Sequence, residues 1–283
     1  MAGTVVVPGT NTGFNLNTYK RGAEAATYQK MKFIPRIEDY GMRLYGTGNV
    51  RKWARMVGST LGQTADGSGL TYSNFIATPV TVTAGGNYCA MAWSRNESAQ
   101  VDIDLQSGGT GQIEQALAEM SDASVLVNVA SNTQVLSQTG ADAPGWRIVV
   151  GRLMTNTNGV VVPGEDRKIY AIFTTTQYPN VVAIPEFNNA QMRGDSENPY
   201  VKGIVSTAGG INVDFSTVVY QDANGWHCPV FIQEAYVVGW NVRTEVDFLQ
   251  DELQFRLIAY NNLGSNVQHD LRAVDWRLTA SAI

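Results

Sequence analysis

The sequence predicts an α+β fold organised around one long helix and one long extended hairpin. Three observations carry that reading. From Gln112 to about Gln138, residues Ile113, Leu117, Met120, Ser124 and Val127 fall at i, i+4, i+7, i+11 and i+14, one stripe of a 3.6-residue period. Residues 44–95 are instead rich in Thr, Val and Tyr, and Pro79-Val80-Thr81-Val82-Thr83 alternates as a strand does. The last fifty residues return to apolar, strand-like runs after a mixed middle. A chain of 283 residues buries roughly three quarters of its unfolded surface, so it needs no disulfide or metal to hold it.

The elements follow in order. Residues 1–17 are small, polar and Gly-rich, and are expected to be extended or disordered. Thr18 to about Lys32 favours helix, with Ala23, Ala26 and Met31 on one face, and Pro35 stops it because the residue before a proline is pushed out of the helical region. A hairpin from Gly48 to Trp93 has Gly/Asp/Ser-rich residues 62–69 at its tip and Gly85-Gly86 as a turn. Such an arm has little core of its own and must pack on something else. The long helix has Thr110 as its N-cap, runs roughly 40 Å at ~1.5 Å per residue, and is closed by Gly140 and Pro144. Its second half is apolar nearly all round, so it is expected to be buried. Gly145 to Met154 reads as a second, short helix and residues 156–159 as a turn. Residues 167–175, 203–205, 211–215 and 216–220 read as short strands, 167–175 being buried. Longer strands are expected at Cys228–Val238, Phe255–Tyr260 and Val274–Thr279, with Trp240 to Leu249 partly helical.

Charge is sparse and uneven. Charged residues make up 16%, below the usual quarter, which suits a surface that meets other subunits over much of its area. The first 65 residues carry nine Lys and Arg (Lys20, Arg21, Lys30, Lys32, Arg36, Arg43, Arg51, Lys52, Arg55) against three acids, net +6; the remainder is −11. The N-terminal segment is therefore expected to be a solvated arm, or one that lies on an acidic neighbour or faces nucleic acid. Two cysteines make no disulfide framework, no signal peptide is visible, and no run of 18 apolar residues could span a membrane, so the chain reads as cytoplasmic and reduced.

Catalytic chemistry is poorly supported. Any Ser-His-Asp or Cys-His arrangement has to use His227 or His269. His227 adjoins Cys228, but neighbouring strand residues point to opposite faces, so the expected pair is a packed Cys228 and a surface His227. Asp102 and Asp104 share a strand face, and Asp247, Asp251 and Glu252 could line one helix face; both groups read as solvated. There is no phosphate-binding glycine loop, zinc motif or paired-cysteine motif. No enzyme activity, cofactor or metal is expected.

The order of parts resembles the major capsid protein family of tailed phages, the Hong Kong 97-like capsid fold shared with encapsulins and the herpesvirus capsid floor. Gln112 to Leu126 resembles that family's spine helix, and Val162-Pro163 ahead of Arg167 its entry into the first A-domain strand. Tyr200 to Val213 resembles its strand and turn toward the outer edge of the A-domain. Ala259 to Val267 resembles its step before the last strand, with a Leu inserted before Gly264. The resemblance implies an N-terminal arm over 1–47, a β-hairpin E-loop over 48–93, a P-domain with the spine helix over 94–140, a mixed α/β A-domain over 141–234 and returning P-domain strands over 235–283.

It also implies a structural subunit that self-assembles, as pentamers and hexamers, into an icosahedral capsid around the genome of a tailed dsDNA phage, assembled in the host cytoplasm. Expected partners are a separate scaffolding protein, since no long acidic helical extension precedes the arm, a portal, a decoration or cement protein, and packaged DNA bound without sequence preference. Inter-subunit contacts are expected at Lys20, Arg21, Lys30, Lys32, Arg36, Arg51, Lys52, Arg55, Asp66 and Tyr72, with hinges at Gly46, Gly48 and Gly140. Covalent Lys–Asn cross-links occur in some relatives, but no Lys, Asn and Glu trio is identifiable here, so none is expected. The alternatives are an encapsulin-like compartment shell, a phage tail or baseplate protein or β-rich adhesin, and a cryptic hydrolase.

Overall fold

The structure, a computed structural model, describes residues 26–41, 50–56, 77–94, 105–156, 168–188, 207–208, 210–250 and 254–279. Residues 26–30 are helical and a 3-10 turn spans Ile34–Arg36. Then come β1 (Glu38–Asp39), β2 (Val50–Met56), β3 (Ala77–Thr83), β4 (Gly85–Ser94), α1 (Leu105–Leu126), a 3-10 turn Val127–Ser131, β5 (Val135–Gln138) and α2 (Ala143–Asn156). The middle holds β6 (Ile169–Thr174), α3 (Tyr178–Ala183), α4 (Pro185–Asn188), β7 (Thr207–Ala208), β8 (Ile211–Ser216) and β9 (Gln221–Asp222). The chain ends on β10 (Gly225–Ile232), β11 (Tyr236–Gln250), β12 (Gln254–Val267) and β13 (Ala273–Leu278).

Three sheets form among the described residues. A four-stranded sheet runs β1-β11-β12-β4, a seven-stranded sheet runs β5-β13-β10-β6-β8-β7 with β9 on β10, and β2-β3 form a hairpin by themselves. α1 covers one face of the four-stranded sheet. Ile113 and Leu117 pack there with Val246, Leu257 and Ala259, edged by Cys89, Met91 and Trp93. The larger core lies on the seven-stranded sheet, where α2 sets Trp146, Val149 and Leu153 among Phe173, Val230 and Trp276.

Trp276 is fully buried, its ring 5.7 Å from that of Phe173 and 6.4 Å from that of Trp146, and its Nε1 donates to Gln138 Oε1 at 2.8 Å. Trp276→Ala is expected to cost about 3–5 kcal/mol, from lost burial and the cavity left behind, read as a lower urea midpoint at unchanged m-value.

Several expectations need correction. The long helix runs Leu105–Leu126, not from Gln112 to Gln138. It starts in a glycine-rich stretch of poor propensity, where tertiary packing decides: Gly109 is buried on Leu257, Met91 and Trp93, and a Cβ there would make ordinary contact with them at 3.9 Å. Thr110 is thus inside the helix and is not its cap. Its C-terminal end tightens into the 3-10 turn, and Val135–Gln138 becomes a strand parallel to β13, a partner some 140 residues away. Pro144 opens α2 instead of closing α1. It occupies a first-turn position where its missing N–H is not needed, and Asp142 Oδ1 caps the helix by accepting from the Gly145 N–H at 2.7 Å.

Gly85–Ser94 belongs to the four-stranded sheet, pairing along its length with β12, so the free hairpin is shorter than 48–93. Ser216–Tyr220 is not a strand. After Ser216 the chain turns, with the Val218 N–H on Ser216 Oγ at 3.3 Å. The single strand expected over Cys228–Val238 is two strands in different sheets, broken by a 3-10 turn at Gln233–Ala235. Trp240–Leu249, expected as partly helical, is strand throughout, so Asp247 lies on a strand; Asp251 and Glu252 fall outside the described residues. The helix before Pro35 ends at Lys30. Residues 1–25, the turn at 157–159, Asp102, Asp104, Val162, Pro163 and the strand at 203–205 also lie outside the described residues.

Candidate functional site

Two features carry the most specific geometry: the seat of the β2-β3 hairpin and the attachment of the N-terminal segment to α1. β2 and β3 pair from Val50↔Thr83 to Met56↔Ala77, and Val80 and Val82 on β3 point inward onto Val237, with Tyr40 and Ala84 beside them. The hairpin base crosses β12 at Gly264. A Cβ at Gly264 would lie 2.4 Å from the Thr83 carbonyl oxygen and 2.8 Å from Val82 Cγ1, so only glycine permits the approach. Asn266 Nδ2 donates to the Thr81 carbonyl at 2.6 Å.

A polar chain fixes the strands around this seat. Asn87 Nδ2 donates to Asn261 Oδ1 at 3.2 Å, Asn261 Nδ2 to Ser121 Oγ at 2.7 Å, and Ser121 Oγ to the Leu117 carbonyl at 2.7 Å. It ties β4, β12 and α1 together with uncharged groups whose bonds are mutually satisfied. A notch of about 260 Å³ opens alongside, lined by residues such as Thr83, Asn87, Ser124, Asn128 and Ser265. Its lining holds no titratable side chain, so it offers no acid–base chemistry.

The N-terminal segment is held by Asp122. Its carboxylate, buried on α1, accepts from three consecutive backbone N–H groups: Lys32 at 2.5 Å, Phe33 at 3.1 Å and Ile34 at 3.1 Å. Burial pushes the Asp122 carboxyl above its usual range, opposed by those three N–H groups and by Arg36. Lys30 Nζ bonds the Gly111 carbonyl at 2.9 Å and Glu114 Oε2 at 3.1 Å. Lys32 Nζ lies 3.8 Å from Asp214 Oδ1, and Arg36 pairs with Asp214 while its guanidinium sits 5.8 Å from the centre of the Tyr170 ring. Residues 30–36 thus bridge α1 and β8.

Of the expected contact residues, Lys30, Lys32 and Arg36 are brought together, and their acidic partners are in the same chain. Arg51, Lys52 and Arg55 stand on β2. Lys20, Arg21, Asp66 and Tyr72 lie outside the described residues, as do Gly46 and Gly48. Gly140 lies between β5 and α2. Its neighbour Ala141 donates its N–H to Gln177 Oε1 at 3.3 Å. Sequence reasoning missed Asp122 as an anchor. The signal was an acid four residues after Ala118 and three before Val125, on the buried stripe of the helix.

His227 is buried, where a surface position was expected. β10 sets it across from Arg277, with the imidazole between carboxylates: Nδ1 is 2.8 Å from Asp275 Oδ2 and Nε2 is 3.3 Å from Asp222 Oδ1. Cys228 faces the opposite side, across from Trp276, and burial pushes its thiol up to about 12. A thiol held neutral and turned away from the imidazole is no nucleophile. Among the described residues no group of three His, Cys, Asp or Glu could hold a metal ion, and no helix is long and apolar enough to cross a membrane.

The sequence matches no protein-family model and no curated protein. Solved structures do match. The capsid of Ralstonia phage GP4 has a TM-score of 0.65 at 13% identity, over 99% of this chain and 99% of that one. The capsid of cyanophage P-SCSP1u has 0.65 at 14%, over 89% of each chain. The virus-like particle from Pyrococcus furiosus has 0.58 at 9%, over 92% of this chain and 97% of that one. The chain therefore has the α+β fold of phage capsid proteins, the Hong Kong 97-like fold that its order of parts resembles.

Proposed function

We propose that the chain is a structural subunit that self-assembles into the icosahedral capsid of a tailed dsDNA phage, with no catalytic activity. The observation that carries this is the end-to-end match to the Ralstonia phage GP4 capsid, which covers 99% of both chains. An arm bound across α1 and β8, and a two-stranded hairpin too small to be stable alone, also suit a shell protein.

The hairpin would reach over a neighbouring subunit through β2 and its tip, with Arg51, Lys52, Arg55, Asp66 and Tyr72 as contacts. Lys20 and Arg21 would extend the arm onto an acidic neighbour, since the chain beyond residue 65 carries −11. Individually weak contacts, repeated around pentamers and hexamers, make a closed shell stable through multivalency. Gly46, Gly48 and Gly140 would absorb the differences between those environments. A separate scaffolding protein, a portal and packaged DNA are the partners that go with this reading, with a decoration protein as an optional addition. The P-domain would comprise α1 and the four-stranded sheet, the A-domain most of the seven-stranded sheet, with the boundary at 234/235 in the turn between sheets.

The test is light scattering with negative-stain electron microscopy on the recombinant protein, alone and with its scaffolding protein. Shells, tubes or rings of five or six subunits are expected, and a stable monomer under both conditions overturns the reading. Because the Pyrococcus furiosus particle shares the fold, the contents decide the remaining question: DNA marks a phage capsid, enzyme cargo an encapsulin-like compartment.

A further inference from the structure

His227 is a buried imidazole with a carboxylate facing each ring nitrogen. Asp275 of β13 is itself fully buried and lies 2.8 Å from Nδ1; Asp222, at the end of β9, lies 3.3 Å from Nε2. A neutral imidazole has one N–H and one lone pair, so it can satisfy only one of these carboxylates and must turn its lone pair on the other. The doubly protonated ring bonds Asp275 through Nδ1 and turns a positive N–H toward Asp222, 3.3 Å from Nε2, where the contact is an ion pair outside hydrogen-bond alignment. The arrangement fits an imidazolium.

The surroundings place that charge between a buried side and a partly exposed one. The buried side is β13, where Arg277 Nε also bonds Asp275 Oδ2 at 2.9 Å, giving Asp275 two cationic partners. The exposed side is the tight turn from Asp222 to Gly225. It is partly exposed and closed on itself: Asn224 donates its backbone N–H to Asp222 Oδ1 at 2.7 Å and its side-chain amide to Asp222 Oδ2 at 3.0 Å. Those bonds, led by the Asn224 side chain, hold Asp222 below the usual carboxylate range, so it remains an anion. The titratable and charged groups facing His227 are Asp222 from β9, Asp275 and Arg277 from β13, and Tyr220 just before β9, its ring centre 5.2 Å away.

We propose that His227 with Asp222 and Asp275 forms a proton-operated clamp that holds residues 219–226 against β13, closed when the imidazole carries two protons and loosened when it loses one. On deprotonation the Nε2 lone pair faces the Asp222 carboxylate. Asp275 cannot withdraw, because it is bound to Arg277 inside the sheet, so the exposed turn gives way. The direction of titration agrees. Burial alone would lower the proton affinity of His227, but the carboxylates, Asp275 foremost, more than offset it and raise the value above the usual 6.5. A group whose folded value is raised stabilises the closed form fully below its ordinary value, and that contribution is lost as pH rises through the raised value. The clamp is therefore tight under mildly acidic conditions and slack above the raised value. It acts within one chain and does not depend on the capsid reading.

The test is hydrogen–deuterium exchange on the full chain between pH 5.5 and 9, corrected for the intrinsic pH dependence of exchange. Protection of residues 219–226 should fall by about tenfold for each unit by which the closed form raises the His227 value, while α2 stays unchanged. Asp222→Asn removes the anion that faces Nε2, so protection should become nearly independent of pH. That variant changes a partly exposed side chain and should fold. His227→Gln should show no titrating step in this segment. Wild-type protection that does not change with pH, or a fall of the same size in Asp222→Asn, overturns the clamp.

Discussion

Replacing Asp122 by Ala is expected to free residues 32–34 from α1 and destabilise the chain by at least about 3 kcal/mol. The carboxylate serves three backbone N–H groups, two of them buried. Leaving one buried donor unsatisfied costs about 1–3 kcal/mol, and here three lose their acceptor together. Asp122→Asn keeps one acceptor oxygen but turns an amide toward the same N–H groups, so it should recover only part of the loss. Urea unfolding gives the energy. Trypsin cleavage after Lys30 and Lys32, slow in the native chain, should become rapid in Asp122→Ala while α2 stays protected, which separates local detachment from global unfolding.

Gly264→Val should unseat the hairpin. The glycine does not have a left-handed backbone; what it provides is space, since a Cβ would sit 2.4 Å from a backbone oxygen and 2.6 Å from a backbone carbon of Thr83. Backbone atoms cannot rotate aside, so β3 must lift from β12. Overpacking of this kind costs about 1–3 kcal/mol for Ala, and Val adds two further methyl groups. Exchange protection at Val80 and Val82 should drop while the α1 face of the four-stranded sheet remains protected. Gly264→Ala should stay folded yet assemble poorly, judged by the fraction of closed particles in negative stain. Normal particles from either variant would mean that the seat of the hairpin is irrelevant to the shell.

What could be read from the sequence depended on how local the physics was. α2 was legible because the apolar spacing of Trp146, Val149 and Leu153 acts within a few turns, although Pro144, which opens it, was read as the close of the helix before. β6 was legible because residues 169–174 form a short run of strand-forming residues, five of the six buried. The start of α1 was hidden because packing of Gly109 on Met91, Trp93 and Leu257 overrides the poor propensity of its glycines. β5 was hidden because its partner is β13. In β11, Thr244 and Val246 alternate with half-buried Glu245 and Asp247, a period-two signal that was available and was outweighed by the charged residues.

The functional features divide in the same way. That Gly264 belonged to a significant step could be seen from the motif it resembles, but the close approach that demands a glycine involves Thr83, far off in the chain. The surroundings of His227 were invisible for a similar reason. Asp275 lies 48 residues away and reaches the ring only through the β10-β13 register. Local alternation placed Cys228 and His227 on opposite faces correctly, yet it could not say that both faces are covered.

The chain passes between its two larger sheets at the corner where the arm is packed. Two short straps make the crossing side by side, Gln233–Ala235 outbound and residues 268–272 on the return. They are stitched together where the Ala235 carbonyl accepts the N–H groups of Gln268 and His269, at 2.8 and 3.0 Å, and where Arg272 pairs with Glu234. Against this joint sits Phe33, its ring 5.1 Å from Phe231 at the end of one sheet and 5.4 Å from Tyr236 at the start of the other. Phe33 fills the corner where the sheets meet, and Asp122 pins it to the helix, so the N-terminal segment is part of the packing at the angle between the sheets as well as a tether.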